Sequence, residues 1–197
     1  MATMRPIANV ATAILTACLL FAGPAASTAR SRAAEHARVV MHGVVVGVVD
    51  GDTADVRLDS GMIRIRFQAI DAPEMGQPYG KAAKARLAEL IYARPVEVEP
   101  YQQDRYDRLV ARLWIGERDI NAEMVKSGHA WVYRRYADDP AYCAYEQAAR
   151  NLRRGLWEPR TDAPVAPWEW RQRKTLAGHY TSYARETEAR CVATLGK

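Results

Sequence analysis

Cysteine is scarce in this sequence, with three in 197 residues. Neither Cys143 nor Cys191 has a His or Cys neighbour at metal-ligand spacing, which excludes a zinc module. Long apolar runs are scarce as well. The longest mostly apolar stretch, residues 7–22, is interrupted by Asn9, Thr12 and Thr16, and a membrane-spanning helix needs about 20 consecutive apolar residues. No internal repeat is visible, so a repeat architecture is excluded. Negative charge is the minority: 23 Asp and Glu stand against 28 Lys and Arg, a net +5. That excess suits a polyanionic partner, but alone it is weak evidence, because mildly basic surfaces are common. At this length there is room for one domain with a core, plus appendages.

What is present begins with the N-terminus. Arg5 precedes the apolar stretch, and Gly23, Pro24 and the small residues Ala25 to Ala29 follow it. Residues 1–29 read as a secretory signal peptide cleaved after Ser27 or Ala29. Leu15-Thr16-Ala17-Cys18 also resembles a lipoprotein processing box. That is the minor alternative, because Leu19, Leu20 and Phe21 continue the apolar run past Cys18. An exported chain, periplasmic or extracellular, keeps Cys143 and Cys191 in an oxidising compartment where thiols pair. The expected disulfide closes a loop of 48 residues, worth about 4 kcal/mol on the chain-entropy argument.

The stretches 39–49, 54–58 and 62–70 read as three strands of a meander, separated by Gly and Asp-Ser-Gly turns. In the third, Ile63, Ile65 and Phe67 alternate with Arg64, Arg66 and Gln68, so one face is buried. A helix over 79–91 carries an Ala83, Leu87, Leu90, Ile91 stripe, with Lys81 and Lys84 on another face. Strands at 96–98 and 109–115 follow. Asn121 is the expected N-cap of a short helix ended by Gly128. Asp139 and Pro140 open a third helix with the stripe Ala141, Tyr145, Ala148 and Leu152, ended at Gly155. Thr161 to Pro167 reads as a linker to a tail holding Trp168, Trp170 and the basic cluster Arg171, Arg173 and Lys174. This element order predicts an α+β domain on a small barrel.

Asp50-Gly51-Asp52-Thr53 sits at a strand end, where Asp-Gly alone indicates a turn. A second acidic turn, Asp71-Ala72-Pro73-Glu74, ends the third strand five residues after Arg66. Two carboxylate turns meeting at one barrel end suit a hard cation. The ordered set Val49 to Thr53, Arg66 to Glu74 and Asp104 to Arg108 (Asp-Arg-Tyr-Asp-Arg) resembles the staphylococcal nuclease family closely. The resemblance runs from about Val40 to Trp157. It implies a five-stranded OB-fold-like β-barrel with three helices over residues 38–158, leaving 159–197 as linker and basic, Trp-containing C-terminal tail.

The resemblance also implies chemistry: a calcium-dependent phosphodiesterase acting on DNA and RNA and leaving 3′-phosphate ends. Asp52, Asp71 and the Ala72 carbonyl then ligate Ca2+, which takes six to eight oxygens in a flexible shell. Ala72 stands where the family has Thr, so the carbonyl is kept and a hydroxyl is lost. Glu74 positions or deprotonates the attacking water, and Arg66 and Arg108 contact the scissile phosphate. Arg105, Tyr106, Tyr133 and Tyr136 are the substrate contacts, through stacking that tolerates any base.

Two features depart from the pattern. Asp107 replaces a glycine beside Arg108, and regular alternation sets Arg66 and Asp71 on opposite faces, so the chain must be reoriented between them. No stable protein partner is expected, and the chain is read as a monomer. The alternative function is a catalytically weak or inactive nucleic-acid-binding OB-like module.

Overall fold

The computed structural model describes residues 39–159, 164–172, 183 and 186–197. The signal-peptide reading, the lipoprotein box at Cys18 and the basic residues Arg173 and Lys174 lie outside them. Among the described residues eight strands are present: β1 (Met41–Val48), β2 (Thr53–Leu58), β3 (Gly61–Phe67), β4 (Ile70–Asp71), β5 (Pro95–Gln103), β6 (Leu109–Ile115), β7 (Arg118–Asp119) and β8 (Trp131–Val132). The helices are α1 (Gly80–Ile91), α2 (Ile120–Lys126), α3 (Ala141–Asn151), α4 (Pro167–Gln172) and α5 (Glu188–Ala193), with a 3-10 turn over Gly155–Trp157.

Five strands close into a barrel in the order β3-β2-β1-β5-β6, and a parallel β3–β6 pairing sets Ile65 opposite Leu109 and Arg66 opposite Val110. The other four pairings are antiparallel. Register shifts at Val45/Gly47 in β1 and Pro100/Gln102 in β5 supply the curvature that closure needs. Val45, Val56, Ile65, Phe67, Val98 and Leu113 are buried in the core together with Leu87 and Ile91 of α1 and Met124 and Val125 of α2. Each such side chain contributes roughly 1.5–3 kcal/mol by leaving water.

The expected α1 stripe is the buried one. Two other expectations are corrected. Asn121 is not a cap: Asp119 caps α2 by accepting from the Ala122 N–H at 3.0 Å. Asn121 lies inside the helix, fully buried, donating to the Gln68 and Ala111 carbonyls (3.0 and 3.2 Å) and accepting from the Leu113 N–H at 3.1 Å. In α3 the buried residues are Tyr142, Cys143, Glu146 and Ala149, one position on from the expected stripe, and Leu152 is exposed. The helix closes at Leu152, and Gly155 opens the 3-10 turn instead of ending α3.

The shifted face of α3 has a polar cause. Glu146 accepts from the Val132 N–H (2.7 Å), Arg134 (3.1 Å) and Arg150, all inside the protein. Arg134 also pairs with Glu186. On the same face Cys143 is disulfide-bonded to Cys191 of α5, with Cα atoms 5.8 Å apart. A second apolar cluster joins Trp131, Leu156 and Ala166, with Tyr79, Trp157, Trp168 and Tyr183 packed against it. Residues 164–172 therefore pack back onto the domain. Among the described residues no helix is long and apolar enough to cross a membrane.

Candidate active site

Three chain reversals converge at one end of the barrel. The first joins β1 to β2: the Asp52 N–H donates to Asp50 Oδ1 (3.0 Å), Val49 N–H donates to the Thr53 carbonyl, and Gly51 passes beneath the second turn. A Cβ on Gly51 would stand 2.6 Å from Ala72 Cβ and 2.8 Å from Ala83 Cβ, so only glycine lets the two acidic turns approach.

The second reversal follows β3. Ala69 takes a left-handed backbone (φ 66°), which reorients the chain so that Arg66 and Asp71 face each other. β4 then pairs with β8, Asp71 opposite Trp131. Gln68 and Asn121 fix this corner, since the Gln68 N–H donates to the Ala111 carbonyl and its own carbonyl accepts from Asn121. Glu74 lies in the turn before α1. A Cβ at Gly80 would come within 2.0 Å of the Glu74 carbonyl oxygen, so the helix can start here only on glycine.

Arg66 binds the turns together. Its guanidinium reaches Asp52 Oδ1 (3.1 Å), Asp71 Oδ1 (2.9 Å) and the Phe67 and Ile70 carbonyls. Asp52 Oδ2 in turn accepts from the Ala72 N–H at 2.6 Å. Burial pushes the Asp71 carboxyl up to about 6 against the opposing pull of Arg66 and Arg171. Asp50 is pushed up to about 6 by burial and the charge of Asp52. Arg66 is raised, because Asp52 and Asp71 together outweigh its burial. The site carries more negative charge than Arg66 balances.

The remaining positive charge comes from a residue that the sequence reading left in the tail. Arg171 of α4 donates to Asp71 Oδ2 (2.8 Å), Asp71 Oδ1 (3.2 Å) and Glu74 Oε1 (2.7 Å). A basic residue after a Pro-containing stretch carries no local signal of where it lands.

The third reversal joins β5 to β6. Asp107 adopts φ 59°, a region glycine enters at no cost and Asp tolerates, which accounts for the residue change there. Asp104, not Asp107, holds Arg108: Arg108 Nη2 and Nε lie 2.7 and 2.8 Å from Asp104 Oδ2. Although burial opposes it, those bonds and the N–H groups of Tyr106 and Arg108 draw the Asp104 carboxyl below its usual range. Among the described residues this is the ion pair Arg108 makes, so it flanks the carboxylates without joining them. Arg105 donates to the Tyr106 hydroxyl (2.7 Å) on an exposed loop.

Tyr133 is half-buried and its hydroxyl is raised, chiefly by burial and by the charge of Asp71, so it borders the carboxylates. It packs edge-on to Tyr136 (centroids 4.8 Å apart) and flat against Trp168 (5.5 Å, planes within 2°). Tyr136 is exposed.

Asp52 and Asp71, both held by Arg66, bring together carboxylate oxygens of the kind a hard cation takes. The Arg171 guanidinium, bridging Asp71 and Glu74, stands in for positive charge there. Among the described residues no group of three or more His, Cys, Asp or Glu forms a ready-made cage.

The sequence profile described as "Staphylococcal nuclease homologue" matches residues 64–159. That span holds Arg66, Asp71, Glu74 and Arg108, while Asp52 and Arg171 lie outside it. An "Uncharacterized endonuclease" of Escherichia coli O157:H7 is 41% identical over 136 residues, covering 68% of this chain and 87% of that protein. "Protein ParB" of Escherichia coli is 40% identical over 144 residues, covering 67% and 80%. The "Micrococcal nuclease" of Shigella flexneri is 40% identical over 142 residues, covering 66% and 80%.

Proposed function

This chain belongs to the staphylococcal nuclease family, and from that membership we propose a calcium-dependent nuclease that hydrolyses phosphodiester bonds of DNA and RNA and leaves 3′-phosphate ends. The observation that carries the reading is the convergence of Asp52, Asp71, Glu74 and Arg66 on one barrel end. Asp52, Asp71 and the Ala72 carbonyl would hold Ca2+, which when bound supplies Lewis-acid polarisation of a phosphate oxygen.

The other residues divide the remaining work. Glu74, in the turn preceding α1 and partly open to solvent, takes the proton from the attacking water. Arg66 keeps the two metal-binding carboxylates apart and in place, and neutralises charge on the phosphate as it builds. Arg108 supplies the second guanidinium once the substrate phosphate competes with Asp104 for it. Tyr133 and Tyr136 offer aromatic faces to the bases, and Arg105 and Tyr106 offer a second contact on the β5–β6 loop. Stacking reads no particular base, which supports broad action on single strands.

We also propose that residues 38–158 are the nuclease domain, that residues 1–29 direct export, and that the mature protein is monomeric. The Cys143–Cys191 disulfide supports an oxidising destination.

The test is cleavage of single-stranded DNA and RNA by the purified mature protein with calcium, with magnesium and with chelator, alongside Asp52→Asn and Asp71→Asn. Calcium supports cutting, magnesium does so poorly because it demands tight octahedral geometry, and either substitution nearly abolishes it. Undiminished cutting in chelator sinks the metal assignment. The reading as a nucleic-acid-binding barrel that cuts weakly or not at all has one observation in its favour, the hold of Arg171 on Asp71 and Glu74.

A further inference from the structure

Residues 164–172 cross the mouth of the site, and two of their side chains occupy places that cation and substrate need. Arg171 bridges Asp71 and Glu74. Trp168, one helical turn earlier, lies flat on Tyr133. The indole is wedged edge-on against Trp131 (5.9 Å) and Tyr183 (5.3 Å). The segment is also held by its backbone. Gln77 is buried, accepts from the Glu74 N–H at 3.2 Å and donates to the Val165 carbonyl at 2.7 Å, so one side chain joins the Glu74 turn to the crossing segment. Ala166 and Pro167 are buried beside it.

The side chains of the crossing segment differ in their exposure. Ala166 is buried in an apolar cluster and Trp168 packs against it, whereas Arg171 remains 41% exposed and Glu74 39%. The bond to half-exposed Glu74 is screened by water and salt, and the open side of the guanidinium gives a competing cation access to the oxygens of buried Asp71. A divalent cation with a phosphate is the stronger competitor for the same oxygens.

We propose that residues 164–172 form an intramolecular strap that regulates this site by competition, Arg171 holding the carboxylates against the cation and Trp168 covering the Tyr133 face against a nucleobase. The proposal rests on the calcium-site reading above. The strap lowers the fraction of molecules competent to bind, and apparent affinity falls by that fraction. Calcium and a single-stranded nucleic acid displace it together, each easing entry of the other.

The experiment is calcium titration by calorimetry on the full mature chain, without substrate. It compares wild type with Arg171→Gln, Trp168→Ala and Lys84→Ala, each checked by a thermal melt. Arg171→Gln should bind calcium roughly 10-fold tighter or more, the scale usual for coupling between competing occupants of one site. Trp168→Ala keeps every charge but loses the anchor, and it should also tighten calcium binding, by several-fold. Lys84→Ala, which removes one positive charge from α1, should change affinity little.

Equal affinity in wild type, Arg171→Gln and Trp168→Ala overturns the strap and leaves the calcium site standing. Equal tightening in Arg171→Gln and Lys84→Ala, with none in Trp168→Ala, reduces the effect to net charge and also overturns it. Weaker binding in Arg171→Gln makes Arg171 a supporting residue, which is equally fatal. Calcium binding by none of the four proteins overturns the calcium-site reading itself, and the strap with it.

Discussion

Two clusters of arginine and carboxylate, built from the same side chains, behave as opposites in this protein. Beneath β8, Glu146, Arg134, Arg150 and Glu186 have side chains no more than 8% exposed. At the barrel mouth, Asp71 is as deeply buried, yet its partner Arg171 is 41% exposed. In the first cluster Glu146 spends its oxygens on a backbone N–H and two guanidiniums, so no partner can leave without orphaning a buried charge. In the second, Arg171 can leave because solvent or a cation can take its place. Burial of the partner, more than the identity of the pair, separates a structural ion pair from an exchangeable one. The two clusters are also linked, since the Val132 N–H bonded to Glu146 belongs to β8, which pairs with β4 and so places Asp71.

The comparison breaks most sharply at Glu146. Glu146→Gln removes the charge that two arginines face, and it should cost about 3–5 kcal/mol of stability. On a chain of this size that is roughly a 10 °C drop in melting temperature, readable by calorimetry. Cleavage of nucleic acid measured below the melt should be nearly unaffected. Loss of activity without loss of stability would mean that the interior network acts on the chemistry directly.

Glu74→Gln is the mirror experiment. Glu74 is half-exposed and accepts one bond from Arg171, so its loss should leave the melting temperature within a degree or two. Single-turnover cleavage should fall by a factor on the order of 100, as for a lost general base. An unchanged rate would remove Glu74 from the mechanism.

The smallest effect concerns His129, whose Nε2 sits 3.2 Å from the Tyr79 hydroxyl, outside both clusters. Burial depresses its imidazole below the ordinary value of 6.5. The unfolded chain therefore takes up a proton before the folded one as pH falls. Its contribution is full above 6.5 and is lost as pH drops from there toward the folded value. Melts at pH 7.5 and 5.5 should show wild type losing more stability on acidification than His129→Gln. Equal losses would mean that this imidazole is not held neutral by the fold.

The sequence was informative wherever chemistry and periodicity agreed. β6 and the α1 stripe follow from alternation and helical spacing alone. The acidic turns follow from motif order, and the Cys143–Cys191 bond from there being just two cysteines beyond residues 1–29. It was uninformative where a polar residue is held by tertiary contacts. Asn121 has the chemistry of a cap, and only the carbonyls of Gln68 and Ala111 give it another task. Glu146 hides the true face of α3, because a hydrophobic pattern assigns a glutamate to solvent. The corner at Ala69 carries no glycine to announce its positive φ. Arg171 was invisible as a site residue because nothing local to 164–172 states which surface it will cross.

The parallel pairing of β3 with β6 has a kinetic side. β1–β2, β2–β3 and β5–β6 are joined by short turns, whereas β3 meets β6 only after α1 and β5 have been laid down between them. Pairings across such a long stretch of chain are entropically expensive, and their formation limits folding rates. Arg66 stands on one lip of that seam and Arg108 just before the other. A chain emerging from the ribosome therefore displays both acidic turns long before it has the second arginine or a sealed wall behind the first. The set of Arg66, Arg108 and the two acidic turns is therefore complete only once that seam has closed.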